Sequence, residues 1–405
     1  MTQSLIVVFQ RDHMWDRVED RLATLAHRNA NKKSSRKKES VSQQLNQFLQ
    51  IMPVPQSLES CQPMDILRFL AYKDETGVGK TQVHDLECPS LGQENIQICG
   101  CPVRLAADYV RHLVSDIKVV LSKYGRGFTW DSVSHTGNPA MSPEVMSYIA
   151  TIKDEQAEAH VVVKQAKPIP LEKIVALVTY LSKEIESKTL SLRDLFLFLR
   201  DKAFFLTQFL LGERGGDLSK LLIQQIFLSP DNNTLILRQT YGKMRTEKHS
   251  VLLRSPDPSL CPVKAIDIYV KQAIAMGIDM STGYLFRKTL KDGNVINAPL
   301  QQSGINQRLV SHLTTIGQYQ GETTHSLRSG CAVALTTTPH DSQESAAHIG
   351  WRSKACWDHY SRTSSFLSSS VAQSISTLLV DSQARAVADA QYSHLNSMSL
   401  KKAYD

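Results

Sequence analysis

The sequence predicts a mainly α-helical protein with one small antiparallel β-sheet, divided into two domains. Three observations predict this. At 405 residues the chain exceeds what one hydrophobic core usually serves. Apolar residues recur at three- and four-residue spacing through most of its length. In one stretch, 223–253, that pattern gives way to brief β-like runs separated by turn residues.

Residues 1–45 are polar and basic, with Asn, Lys and Ser crowded at 29–35, and are expected to form a partly disordered arm. Within it Lys32, Lys33, Arg36, Lys37 and Lys38 form a cluster. Such a run is either a nuclear-import signal or DNA-contacting arm, or an ordinary solvated segment.

Residues 46–165 are expected to form a helical domain. Leu45, Phe48, Leu49 and Met52 make one apolar stripe, and Met64, Ile66, Leu67, Phe69 and Leu70 a second. An irregular insertion at 80–102 precedes a long helix expected from about Pro102 to Tyr124, with proline in its first turn and Gly125 at its end. Ser142-Pro143-Glu144 opens another helix, with Val145, Tyr148, Ile149 and Ile152 on one face. The basic, proline-containing segment around 166–170 reads as a linker.

Residues 171–365 form the second expected domain. Helices are predicted at 171–186 and 191–211. Short strands follow at 223–228, 234–238 and 250–253, with Pro230-Asp231-Asn232-Asn233 as the first turn and residues 242–248 as the second. Helices then resume at 262–276, 303–316, 326–337, 342–349 and 353–360. A tail at 366–405 is again helical in pattern from Ser368 to Tyr392.

Composition narrows the function classes. The chain is 42% apolar and 21% charged, ordinary for a soluble globular protein. No apolar run approaches the roughly 18 residues a membrane helix needs. The apolar run at 5–9 is too short for a signal-peptide core. A soluble intracellular protein without a membrane partner is expected. Lys and Arg number 46 against 39 Asp and Glu, an excess that permits nucleic-acid binding. Seven cysteines, three of them within 88–101, do not make a disulfide framework.

Five segments of the second domain carry chemistry: Gly212-Glu213-Arg214-Gly215-Gly216-Asp217-Leu218, Tyr241-Gly242-Lys243-Met244-Arg245, Thr324-His325-Ser326-Leu327-Arg328, His348-Ile349-Gly350-Trp351 and Trp357-Asp358-His359-Tyr360-Ser361-Arg362. Each alone is a weak signal, but their order and context are specific. An Arg follows a helix, a Lys sits on a β-turn, His-x-x-Arg opens a helix, and Trp351 precedes Tyr360 by nine positions.

This series resembles the catalytic domain of the tyrosine recombinases, the integrase family of phage, bacteria and eukaryotic mobile elements, over roughly 171–365. The resemblance implies that Arg214 and Arg328 clamp a scissile DNA phosphate, that Lys243 is the hairpin lysine, that His325 and Trp351 are hydrogen-bonding positions, and that Tyr360 is the nucleophile. Familiar members have Leu-Gly-His where this chain has Ile-Gly-Trp, and tryptophan is a known variant there. Lys248, at the other end of the turn, competes with Lys243 for the lysine role.

The residue types suit the chemistry. Attack on a phosphodiester spreads negative charge over the non-bridging oxygens, and planar guanidinium groups present paired donors that stay charged. His325 and Arg328, three apart, share a helix face. A lysine on a turn can protonate the departing 5′ oxygen. Trp351 donates one N–H bond and packs but has no acid–base role. A tyrosine nucleophile stores the bond energy in a covalent 3′-phosphotyrosine, which a second 5′-hydroxyl reopens without ATP. With arginines carrying the charge, neither a catalytic metal nor a nucleotide is expected to be required.

In the first domain His84, Cys88, Cys99 and Cys101 read as His-x3-Cys-x10-Cys-x-Cys. One imidazole and three thiols make a closed tetrahedral zinc set, which is structural in kind. Buried free cysteines are the alternative reading. Lys80-Thr81-Gln82-Val83-His84, the cysteine set, Cys101-Pro102-Val103-Arg104 and Lys153-Asp154-Glu155-Gln156-Ala157 resemble the ALOG domain of plant regulators over about 45–165. That resemblance implies four helices with a zinc-ribbon insertion, related to the core-binding domain of recombinases from DIRS-like retroelements, and a role in holding DNA opposite the catalytic domain.

The two resemblances together imply a nuclear recombinase of a DIRS-like or Crypton-like transposable element, acting on double-stranded DNA as a homo-tetramer. A domesticated DNA-binding regulator that no longer cuts and a type IB topoisomerase are the alternatives. In the tail, Val371, Ile375, Leu378 and Leu379 fall at helical spacing. That stripe packs either on its own domain or on a neighbouring protomer.

Overall fold

The computed structural model describes residues 2–30, 32–92, 99–161, 167–187, 189–240, 247–290, 292–361 and 383, with side chains from Trp15 onward except at Lys33. The chain divides into two compact units, Met1–Lys164 and Gln165–Asp405.

The first unit opens on two helices, α1 (Thr2–Ala30) and α2 (Lys33–Ile51). The arm expected to be partly disordered is therefore helical. Its leucines, alanines, arginines and glutamates are good helix formers, and the order of α1 is local because its residues from Trp15 are exposed. The basic cluster lies at the start of α2, where Lys37 pairs with Asp116 at 2.7 Å. Helix α2 buries Val41, Leu45 and Leu49, and Met52 just past its end is buried as well. Helix α3 (Pro63–Thr76) starts with proline behind a capping box, in which the Gln62 backbone N–H donates to Asp65 at 2.9 Å. It buries Ile66, Phe69 and Leu70.

The long helix expected from Pro102 is shorter. Strands β1 (Lys80–Gln82) and β2 (Val103–Leu105) pair antiparallel, and only then does α4 (Ala107–Leu121) begin. Pro102 belongs to the hairpin, and its carbonyl accepts from the Val83 N–H at 2.9 Å. The pairing that wins is between residues some twenty positions apart, which a local helical period does not register. A two-residue hairpin, β3 (Trp130–Asp131) with β4 (Thr136–Gly137), leads to α5 (Pro143–Glu158), capped by Ser142. Buried Gln156 of α5 accepts from the Ala107 N–H at 2.9 Å and donates to the Leu105 carbonyl at 2.7 Å, satisfying the chain where strand becomes helix. Helices α2 to α5 share one apolar core.

The second unit is built on α6 (Leu171–Glu186) and α7 (Leu192–Leu211), the latter capped by Ser191 and buried along most of its length. A short α8 (Gly215–Leu218) precedes the antiparallel sheet β5 (Ile226–Leu228), β6 (Thr234–Gln239), β7 (Lys248–Leu253), in that spatial order. Leu235, Leu237 and Leu252 point to the helical side. Helix α9 (Pro262–Ala275) packs on α7. The hairpin β8 (Arg287–Thr289) and β9 (Val295–Pro299) was not expected, because Arg-Lys-Thr and Val-Ile-Asn-Ala-Pro show no alternation. Then come α10 (Gln302–Thr315), α11 (Thr324–Leu335), α12 (Ser342–Ile349) and α13 (Lys354–Ser361). The expected helical tail and its stripe Val371, Ile375, Leu378 and Leu379 lie outside the described residues. Among the described residues, no helix is long and apolar enough to cross a membrane.

Candidate active site and candidate metal centre

Four chain segments meet at the C-terminal end of α7. Helix α7 ends on Gly212 in the left-handed conformation, φ 56°. A Cβ there would lie 2.9 Å from Ile349 and 3.1 Å from the Cys331 sulfur, so glycine is required twice over, by conformation and by space. The turn presents Glu213 and Arg214 in succession. Gln208 fixes it by donating to the Glu213 carbonyl at 3.1 Å and to the Thr324 carbonyl at 2.8 Å, which joins it to the start of α11.

Helix α11 carries His325 and Arg328 on one face. Arg328 is 1% exposed and donates through Nη1 to the Gly212 carbonyl at 2.5 Å and the Ile349 carbonyl at 3.3 Å. Its Nη2 is buried and has no hydrogen-bond partner among the described residues. A buried guanidinium donor without an acceptor is costly, and an incoming anion would satisfy it. Burial, and then the charge of Arg214, draw the Arg328 pKa down to about 10, so it remains charged at neutral pH.

Helix α12 ends at Gly350, also left-handed at φ 84°, and the next residue is Trp351. The Trp351 ring lies 4.9 Å from the Arg328 guanidinium carbon. It also stacks on Tyr360, with centroids 4.9 Å apart and planes at 18°. His325 meets Tyr360 edge-on at 5.2 Å. Tyr360 stands in the last turn of α13, half-buried, on the face shared with buried Trp357 and Ser361.

The structure thus brings His325, Arg328, Trp351 and Tyr360 into contact, with Arg214 near enough to act on both His325 and Arg328. Arg214 pairs loosely with Asp217 at 3.6 Å and stays a third exposed. Lys243 lies outside the described residues. Lys248, the first residue of β7, is in the cluster. Its Nζ donates to the carboxylate of buried Glu213 and to the Ile349 carbonyl at 3.2 Å. Sequence reasoning missed Glu213 and Gln208. Neither belongs to a recognisable spacing, although an acidic residue before Arg214 was visible as a departure from an apolar helix end.

Burial, then the positive charges of Arg328, Arg214 and His359, depress the His325 pKa below the usual imidazole range. The sign follows directly: the protonated form is disfavoured, so His325 is held toward the neutral imidazole and takes up its proton at a lower pH than an unperturbed histidine would. An NMR titration of the DNA-free protein should place its midpoint below that of the imidazole in a short unstructured peptide. A midpoint at or above that reference would contradict this electrostatic description.

In the first unit, His84, Cys88, Cys99 and Cys101 each offer one ligand atom, all within 4.8 Å of one another. His84 Nδ1 lies 3.4 Å from both the Cys88 and Cys99 sulfurs. Donors around one tetrahedral zinc would stand roughly 3.5–3.8 Å apart, given Zn–S near 2.3 Å and Zn–N near 2.0 Å. The donor set therefore fits one zinc-sized ion with small contraction. Gln82 donates to the Cys99 sulfur at 2.9 Å and to the Cys99 and Cys101 carbonyls, a supporting shell that orients the thiolates.

Taken with the helix order and the three-stranded sheet, this is the fold of the tyrosine recombinases. The chain superposes with a TM-score of 0.52 and 12% identity on the XerH site-specific recombinase in its post-cleavage complex with palindromic difH substrate, covering 84% of this chain and 77% of that one. Residues 24–154 match the ALOG domain. Two relatives from Arabidopsis thaliana are LIGHT-DEPENDENT SHORT HYPOCOTYLS 5, 28% identical over 146 residues, and LIGHT-DEPENDENT SHORT HYPOCOTYLS 4, 32% identical over 114 residues. Those matches cover 35% and 28% of this chain, and 76% and 54% of the relatives.

Proposed function

We propose that the protein is a site-specific DNA recombinase that cuts and rejoins strands through a 3′-phosphotyrosine on Tyr360. The observation that carries this reading is the buried, unpartnered Nη2 of Arg328 beside the Arg328–Trp351–Tyr360 stack, a ready acceptor site for one phosphate next to one nucleophile. Arg214 and Arg328 bind the non-bridging oxygens and favour the transition state, where charge on those oxygens is greatest. Trp351 and His325 hold the tyrosine ring. The Tyr360 oxygen forms a bond to phosphorus as the P–O5′ bond breaks, neutral His325 is placed to take the phenolic proton, and Lys243 gives a proton to the 5′ oxygen. Reversal by a different 5′-hydroxyl joins new strands.

His84, Cys88, Cys99 and Cys101 hold a structural zinc in this reading, supported by the closeness of their ligand atoms. The ALOG domain contributes DNA contacts, and the basic start of α2 serves nuclear entry. The protein serves integration of a DIRS-like or Crypton-like mobile element. The test is a nicked suicide DNA substrate, whose short fragment diffuses away and traps the intermediate. A covalent protein–DNA band supports the reading. Specific binding without any adduct would favour a regulator of the ALOG type.

Exchange of two duplexes requires four cuts, and one chain has one Tyr360, so we assign the working form to a tetramer linked through residues beyond 361. Truncation after Ser368 is expected to leave a folded monomer that binds DNA but does not recombine it. Sedimentation of the complex decides: tetramers with normal recombination by the truncated chain would dismiss the tail as linker.

A further inference from the structure

One ion pair in the cluster is not used by the chemistry above. Glu213 is 3% exposed and sits one residue before Arg214. Its carboxylate is bound by Lys248, whose Nζ also reaches the Ile349 carbonyl at 3.2 Å. That same carbonyl accepts from Arg328 Nη1 at 3.3 Å. The aliphatic part of Lys248 lies against Gly350: a Cβ there would be 3.2 Å from Lys248 Cδ and Cε. Lys248 thus touches the turn that presents Arg214 and the turn that presents Trp351, and it stands two residues after the 241–246 segment that carries Lys243.

Two forces act on Glu213. It lies close enough to Arg328 to stabilise that guanidinium electrostatically, and it is bonded to Lys248. If Lys248 were removed, the buried carboxylate would be left without its ion-pair partner and would turn to Arg328, a cation its charge already reaches. The phosphate would then compete with Glu213 for the donor it needs.

We propose that Lys248 is a positioning residue for strand cleavage, whose ion pair with Glu213 holds that carboxylate off Arg328 and braces the Arg214 and Trp351 turns against β7. This rests on the recombinase reading of the same site. It assigns no proton transfer to Lys248, whose ammonium is already committed to two acceptors. It also predicts an order among variants that a proton donor would not produce.

The test uses the full chain and two suicide substrates, one with the ordinary 5′ oxygen at the scissile bond and one with sulfur in its place. A thiolate leaves without protonation, so sulfur rescues loss of a proton donor but not loss of alignment. Lys248→Met should form adduct about a hundredfold more slowly than wild type, the scale of a small misalignment. Its DNA affinity should be unchanged, and the deficit should be equal on both substrates. Glu213→Gln should be milder, since no carboxylate is left to compete. The double variant Glu213→Gln/Lys248→Met should recover at least about tenfold over Lys248→Met, because no buried charge is left unpaired. If Lys248→Met does not fold, as judged by thermal melting, the comparison of the double variant with Glu213→Gln on both substrates carries the test. Rescue of any Lys248 variant to the wild-type rate by sulfur would make Lys248 the proton donor and overturn the proposal, as would a double variant no faster than Lys248→Met. Variants at the wild-type rate would overturn it as well. A wild-type chain that forms adduct with neither substrate would instead overturn the recombinase reading on which it stands.

Discussion

Replacing Tyr360 by phenylalanine is expected to reduce covalent adduct formation below detection while leaving DNA affinity within about twofold, the range of a change that disturbs no buried contact. The ring is the part that packs: it stacks on Trp351 and meets His325 edge-on, and phenylalanine keeps both contacts. Only the attacking oxygen is lost. Among the described residues beside it, Ser361 is fully buried and the His359 ring meets Tyr360 edge-on at 4.8 Å. Gel analysis of protein–DNA adducts beside a binding titration checks both halves of the expectation. An adduct with Tyr360→Phe would move the nucleophile elsewhere and undo the assignment of the site.

The second large effect concerns the metal. Purified without chelator, the protein should contain about one zinc per chain, and Cys99→Ser should bring that close to zero. The structure limits how far the damage spreads. Helices α2 to α5 have an apolar core of their own, including Leu45, Phe69, Val110 and Ile117, so the first unit should persist in weakened form. Loss of the metal releases the β1–β2 hairpin, which sits between α3 and α4 and has only three residue pairs to hold it. A fall of roughly 10 °C in the first unit's melting temperature is the expected scale for a loss of 2–3 kcal/mol, with the second unit's melting unchanged. Metal analysis finding no zinc in the native chain would remove the site. A Cys99→Ser chain that keeps its zinc would remove Cys99 from the ligand set.

Features that depend on neighbours along the chain were legible in the sequence. Helices α6, α7 and α9 follow from uninterrupted apolar periodicity with Ser191 or proline at the start, and α5 from Ser142-Pro143. The pair His325 and Arg328 shares a face because three residues make nearly one helical turn. The group His84, Cys88, Cys99 and Cys101, whose ligand atoms the fold brings within 4.8 Å of one another, was visible because thiols and imidazole at short spacing have few other uses. Tertiary structure decided what pairs over distance. The β1–β2 hairpin displaced the start of α4 because strand pairing across an insertion outweighs a local preference for helix. Trp351 became a ring packed against both Arg328 and Tyr360, a placement that needs α11, α12 and α13 at once. Glu213 and Lys248, 35 positions apart, met because the end of a buried helix and the edge of a sheet close on the same turn. No spacing rule brings such a pair together. The fold does, and it places there a buried carboxylate whose charge reaches Arg328.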